Sequence, residues 1–133
     1  MGVYFTPQDA NKILPEVHRR FSQIIVLRNK VISIQEDLHE ISNQVSNFHT
    51  LISKKQELNN VVSLLYRQIE VLEKRGVMIK SVDDGLVDFP SLRFDEEVWL
   101  CWKYGESEIK FWHGRDEGFL GRKPLASASV IEP

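Results

Sequence analysis

The sequence predicts an α+β fold: a long antiparallel helical hairpin, coiled-coil-like, followed by a small antiparallel β-sheet with a glycine-rich loop. Three observations predict it. Apolar residues from Val17 to Leu72 recur at steps of three and four, the period of a coiled-coil seam. Lys74 and Arg75 precede Gly76, a cationic last turn and a left-handed cap that end a helix. Beyond Gly76 the period changes to two, and residues 86–125 hold eight of the thirteen aromatic residues, all three tryptophans included. The domain division that follows is a helical arm over 1–76, a β-module over 77–125 and a loose tail over 126–133.

Thr6-Pro7-Gln8-Asp9 is a helix start: a capping hydroxyl, a proline suited to the first position, and an acid that favours the helix dipole. Pro15 removes a backbone donor and disfavours helical geometry at Leu14. A short first helix to about Leu14 is therefore expected, then a kink, with Pro15 opening the long helix. The first seam runs Val17, Arg20, Ile24, Leu27, Val31, Ile34, Leu38, Ile41, Val45 and Phe48. The second runs Leu51, Lys55, Leu58, Val62, Leu65, Ile69 and Leu72. Their phase breaks among Ser42, Asn43, Ser46, Asn47, His49 and Thr50, residue types that favour local side-chain bonds over helix interior. A hairpin turning near 46–50 and one continuous helix of about sixty residues, roughly 90 Å long, both fit. The hairpin is favoured because it buries both seams within one chain.

Val77 to Lys80 and Leu86 to Phe89 are expected strands, the second stopped by Pro90, which places it at an edge or ends it there. Asp95-Glu96-Glu97 is expected as a turn. Val98 to Tyr104 is the strongest strand, with Val98, Leu100 and Trp102 on one face and Trp99, Cys101 and Lys103 on the other. A turn at Gly105-Glu106-Ser107 joins it to Glu108–His113. That turn sets Leu100 near Trp112 and Cys101 opposite Phe111, with His113 across from Trp99. Glycines at 114, 118 and 121 make Gly114 to Pro124 an irregular loop.

Net charge is −2 and the β-module is the acidic half, which argues against a polyanion binder and so against nucleic acid. One cysteine cannot close an intrachain disulfide, and no signal peptide or membrane-length apolar run is evident. The expectation is a cytoplasmic protein without a membrane association. Met1-Gly2 with Thr6 formally matches a loose myristoylation pattern, which is set aside.

The β-module also holds the candidate chemistry: Asp88, Cys101, Glu106, Glu108, His113, Asp116 and Arg122. Cys101 with His113 offers a nucleophile and base, against the commoner reading of a small buried cysteine. His113, Asp116 and Asp88 are ligand types for zinc or iron. No CxxC or HExxH spacing supports them, so no metal and no cofactor are expected. Arg115, Arg122 and Lys123 among glycines could meet an anion, though a salt bridge from Arg122 to Asp88 or Asp116 is the plainer reading. The tryptophans are read as core rather than as base-stacking platforms. His18, His39 and His49 show no ligand spacing.

Several short motifs carry a family resemblance: Phe5-Thr6, Ala10-Asn11, Leu14-Pro15-Glu16-Val17, Gly85 through Pro90, Leu100-Cys101-Trp102, Gly105-Glu106, Trp112-His113, Asp116, Gly118-Phe119 and Gly121-Arg122. Together they resemble a prokaryotic family of uncharacterised proteins, domain of unknown function 2203. The resemblance covers nearly the whole chain, with the helical middle alike only in character. It implies an architecture and no reaction.

The leading functional expectation is a protein-interaction or oligomerisation module. Leu14, Phe21, Ile25, Ile32, Val61 and Leu64 flank the seams and widen the apolar stripe beyond one partner helix. They point to a homo-oligomer through the helices, or to a protein partner on the same surface. The alternative is a small anionic-ligand binder or metal-dependent enzyme using Asp88, Cys101, Glu106, His113, Asp116 and Arg122. Whether the chain is an enzyme stays open at this point.

Overall fold

Helix α1 runs Pro7–Ile41 and helix α2 runs Phe48–Lys74. The structure, a computed structural model, describes residues 3–41 and 48–125. Of the turn expected near 46–50, positions 46 and 47 lie outside the described residues and 48–50 are already helical in α2; the expected loose tail, 126–133, lies outside them as well. Thr6 caps α1 in a reciprocal box. Its hydroxyl accepts the Asp9 N–H at 3.0 Å, and the Asp9 carboxylate accepts the Thr6 N–H at 3.3 Å.

The expected break at Pro15 does not occur, because α1 continues through it. A proline inside a helix costs about 3 kcal/mol. Packing offsets that cost here: Ala10, Leu14 and Val17 beside it are all buried, while Pro15 itself is turned to solvent.

The two helices are antiparallel. Arg75 Nη2 lies 2.9 Å from Glu16 Oε1, Arg20 donates to Gln68 at 3.1 Å, and Lys54 Nζ lies 3.2 Å from Asp37 Oδ2. Positions rising on α1 meet positions falling on α2. The seam is the expected one: from Val17 to Ile41 and from Leu51 to Leu72, no apolar seam member is exposed. Phe48 departs from it, being 64% exposed at the start of α2. Leu27→Asp or Leu65→Asp is accordingly expected to destabilise the arm by roughly 2–4 kcal/mol, by removing apolar contact and placing a charge on the seam. Circular dichroism and melting curves matching wild type for both variants would refute the seam assignment.

Gly76 ends α2 with φ +94°. Its N–H donates to Glu73 O at 2.9 Å and the Val77 N–H to Leu72 O at 3.4 Å, the paired bonds of a Schellman cap.

By its contacts the chain forms two units, Met1–Arg19 with Leu72–Pro133, and Arg20–Val71. The first unit contains a five-stranded antiparallel meander in the order β1-β2-β3-β4-β5: β1 Met78–Ser81, β2 Leu86–Arg93, β3 Glu96–Lys103, β4 Phe111–Gly114 and β5 Lys123–Pro124. The expected register of β3 with β4 is present: Cys101 faces Phe111, Leu100 faces Trp112 and Trp99 faces His113. Three expectations change. β2 does not stop at Phe89; it passes through Pro90, which pairs with Trp99. The Pro90 carbonyl accepts the Phe5 N–H at 2.7 Å, so this residue's hydrogen-bonding side faces away from β3 and the missing donor breaks no rung. The turn before β3 is Phe94-Asp95, both with positive φ, 51° and 66°, rather than 95–97. The partner strand of β3 begins at Phe111, not Glu108, and the loop from 114 to 124 contains a 3-10 turn at Phe119–Gly121 and ends in β5.

Directly paired residues share a face. Val87, Phe89, Leu100 and Trp102 form the inner face and are at most 2% exposed. Phe5 meets Phe89 edge-on at 5.4 Å, and Asn11 on α1 accepts the Ile109 N–H at 2.7 Å. The outer face carries Asp88, Cys101 and His113.

Candidate functional site

Three neighbouring strands bring three sequence-distant side chains together. Asp88 on β2 pairs with Cys101 on β3, and His113 on β4 pairs with Trp99, one step further along β3. Asp88, Cys101 and His113 are 2%, 1% and 2% exposed. Their donor atoms all lie within 4.8 Å of one another.

His113 is oriented from both sides. Nδ1 lies 2.9 Å from Gly114 O and Nε2 lies 3.0 Å from Asp88 Oδ2. A carbonyl only accepts, so Nδ1 carries a proton and donates it. Nε2 and the carboxylate must then share one further proton, because two bare acceptors at that distance repel. The second carboxylate oxygen, Asp88 Oδ1, is buried without a hydrogen-bond partner among the described residues.

Burial, the largest influence, pushes the Asp88 carboxyl above its usual range despite the nearby His113 and Lys80. Burial, and then the Asp88 charge, push the Cys101 thiol up to about 12. That is the reverse of an activated nucleophile. With Asp88 on Nε2 and Gly114 O on Nδ1, neither ring nitrogen stands as a base to the thiol. The Cys-His nucleophile reading therefore finds no support in this geometry.

A cavity of about 220 Å³ opens over the trio, walled by Lys80, Ser81, Leu86, Glu117, Gly118 and Phe119. Glu117 fastens the loop that forms one wall. Its Oε1 accepts the Gly114 N–H and the Lys123 ammonium, each at 2.7 Å. A Cβ on Gly121 would stand 2.8 Å from the Glu117 Cβ, so the close approach needs glycine there. Sequence reasoning missed Lys80, Ser81 and Glu117 as cavity residues; the flanking glycines at 114 and 121 were the available signal for Glu117.

The other candidates divide. Arg122 pairs with Glu106, not with Asp88 or Asp116: Nη2 lies 2.7 and 2.9 Å from the two Glu106 oxygens and 3.2 Å from Cys101 O. Its guanidinium lies 4.0 Å from the Phe111 ring centre. Glu106 and Arg122 thus brace the strand carrying Cys101 from outside the cavity. Asp116 is exposed in the turn after β4 and Glu108 is exposed before it; neither lines the cavity.

Within the Arg20–Val71 unit, Val26 and Leu64 are 62% and 45% exposed and border an apolar groove with Leu27, Ser22, Gln23 and Gln68. Ile32 is exposed too, and Ile25 half-buried. Three residues expected on this wet stripe are instead core: Leu14, Phe21 and Val61 are buried. Among the described residues, no helix is long and apolar enough to cross a membrane.

The model of a family described as an uncharacterized conserved protein, DUF2203, matches residues 3–125. The chain belongs to the DUF2203 family. That match spans both helices and all five strands, so this fold is the DUF2203 fold as this chain displays it. Comparison with curated proteins found no match, and comparison with solved structures found none.

Proposed function

We propose that this DUF2203 protein is a cytoplasmic homo-oligomer whose helical arm is the interface between copies. The exposed groove bordered by Val26 and Leu64 carries the reading: two helices cover only one side of each other, and the remaining apolar side is wet in a lone chain. A second copy is the proposed occupant because an apolar groove of this kind can be buried against its own like across a two-fold axis. The cytoplasmic assignment draws on the lone thiol.

Sedimentation equilibrium at micromolar concentration is expected to show a dimer or larger. Val26→Glu with Leu64→Glu is expected to shift it to monomer without loss of helicity. A wild-type protein sedimenting as a monomer of 15.5 kDa removes the interface. A small anionic ligand in the β-module is the weaker alternative, since Asp88 and Glu117 line the cavity and Glu106 already engages Arg122.

A further inference from the structure

We propose that Asp88, Cys101 and His113 form a three-ligand site for a borderline divalent cation, zinc(II) foremost, whose fourth position opens into the outer-face cavity. This goes beyond self-association through the arm and stands or falls separately from it.

The donor set comes first. One carboxylate oxygen, one thiol and one imidazole nitrogen lie within 4.8 Å of one another. Mixed oxygen, sulfur and nitrogen donors suit zinc, whereas calcium and magnesium take oxygen. Tetrahedral bonds of about 2.0–2.3 Å place donor atoms roughly 3.3–3.8 Å apart. Nε2 and Oδ2 at 3.0 Å are already close to that separation, and the widest pair closes by about 1 Å through side-chain rotation.

The second observation is independent of the donor types. The Nδ1–H of His113 is committed to Gly114 O, the outer contact that fixes tautomer and ring plane in metal-ligating histidines. It leaves the Nε2 lone pair aimed at a carboxylate that is itself an acceptor. A cation at that point replaces the shared proton and meets both lone pairs at once. The third observation is Asp88 Oδ1, buried without a partner among the described residues. An orphaned oxygen of this kind costs about 1–3 kcal/mol, so the carboxylate keeps buried acceptor capacity beyond its contact with His113.

Binding balances as follows. The divalent cation enters, the thiol proton and the proton shared by Asp88 and His113 leave, and the protein then presents thiolate, carboxylate and neutral imidazole. A cavity of about 220 Å³ exceeds the roughly 30 Å³ share of one water, so the fourth position takes water or a small ligand. Three protein ligands with an open position are the pattern of zinc sites that act on substrates rather than merely hold a fold. Linear spacing could not reveal this set, because each ligand comes from a different strand.

The test uses the full chain, stripped with chelator and titrated with cobalt(II). One equivalent is expected to bind, with a near-ultraviolet thiolate-to-cobalt band and visible bands of four-coordinate intensity, all abolished by zinc(II). Cys101→Ser is expected to lose the ultraviolet band, and Asp88→Asn and His113→Gln to weaken binding by at least about 100-fold. Asp116→Asn, three residues from His113 but outside the cavity, is expected to bind as wild type does. Wild-type protein that stays folded by circular dichroism yet gives no band overturns the site. So does unchanged affinity in folded Asp88→Asn or His113→Gln. Should those variants unfold, the wild-type melting temperature decides: a rise with stoichiometric zinc supports the site, and no change overturns it.

Discussion

Trp102→Ala is expected to cost the unit that contains the sheet about 3–5 kcal/mol, the range for deleting a large aromatic side chain from a core. Trp102 is fully buried on the inner face, opposite Val87. Its ring meets Tyr104 edge-on at 5.9 Å and His18 at 6.1 Å. Its indole N–H donates to Glu106 O at 2.8 Å. Alanine therefore leaves a cavity, removes two ring contacts and strands a carbonyl in the loop after β3. Trp102→Phe separates these effects. It keeps most of the ring and loses the donor, so it is expected to cost about 1–2 kcal/mol. Urea unfolding followed by circular dichroism measures both. A Trp102→Ala loss below about 1 kcal/mol would mean that the inner face is not the core of this unit.

Glu106→Gln is expected to cost about 2–3 kcal/mol, somewhat below the full value for a completely buried ion pair. The Arg122 side chain is 11% exposed and that of Glu106 21%. Removing the carboxylate charge leaves a guanidinium largely out of water, with the Cys101 carbonyl, the Phe111 and Phe119 rings and a neutral amide around it. Glutamine still accepts the Lys103 N–H that Glu106 takes at 2.7 Å, so the loss reads the charge rather than the turn. The double variant Glu106→Gln with Arg122→Met is expected to recover part of it, because both charges are then gone. A double-mutant cycle showing no coupling between the two positions would reduce the pair to a solvated contact of little weight.

The helices were legible because a seam is a local pattern. Every apolar seam member from Val17 to Ile41 that recurs at three and four is shielded, and the cap at Gly76 sits where the cationic turn ends. Pro15 was misleading because its penalty is local, whereas the burial of Leu14 and Val17 that overrides it is tertiary. The register of β3 on β4 followed from alternation and a turn close by. The turn at Phe94-Asp95 did not, since phenylalanine has no preference for left-handed backbone. Asp88, Cys101 and His113 were each legible as chemistry in the β-module. Their meeting was not, because Asp88 opposite Cys101 depends on the register of β2, and β2 continues through a proline that reads as a stop. Arg122 was legible as half of an ion pair; its partner proved to be Glu106, placed by the loop between β3 and β4.

The division into Met1–Arg19 with Leu72–Pro133 on one side and Arg20–Val71 on the other bears on how the chain folds. The unit that contains the sheet is stitched across a long insertion: Phe5 to Pro90 is a backbone tie and Ile109 N–H to the Asn11 side chain a second, the latter spanning 98 positions. Closing fifty-two intervening residues, Arg20 to Val71, as a slack loop costs on the order of 3.5 kcal/mol of chain entropy. An antiparallel hairpin formed first removes most of that slack, because its two ends are already neighbours. The order expected from contact range is then arm and local hairpins first, with the long-range ties of Phe5 to Pro90 and Asn11 to Ile109 last. During synthesis Phe5 waits for Phe89 and Pro90 of β2, and Asn11 for Ile109 beyond β3.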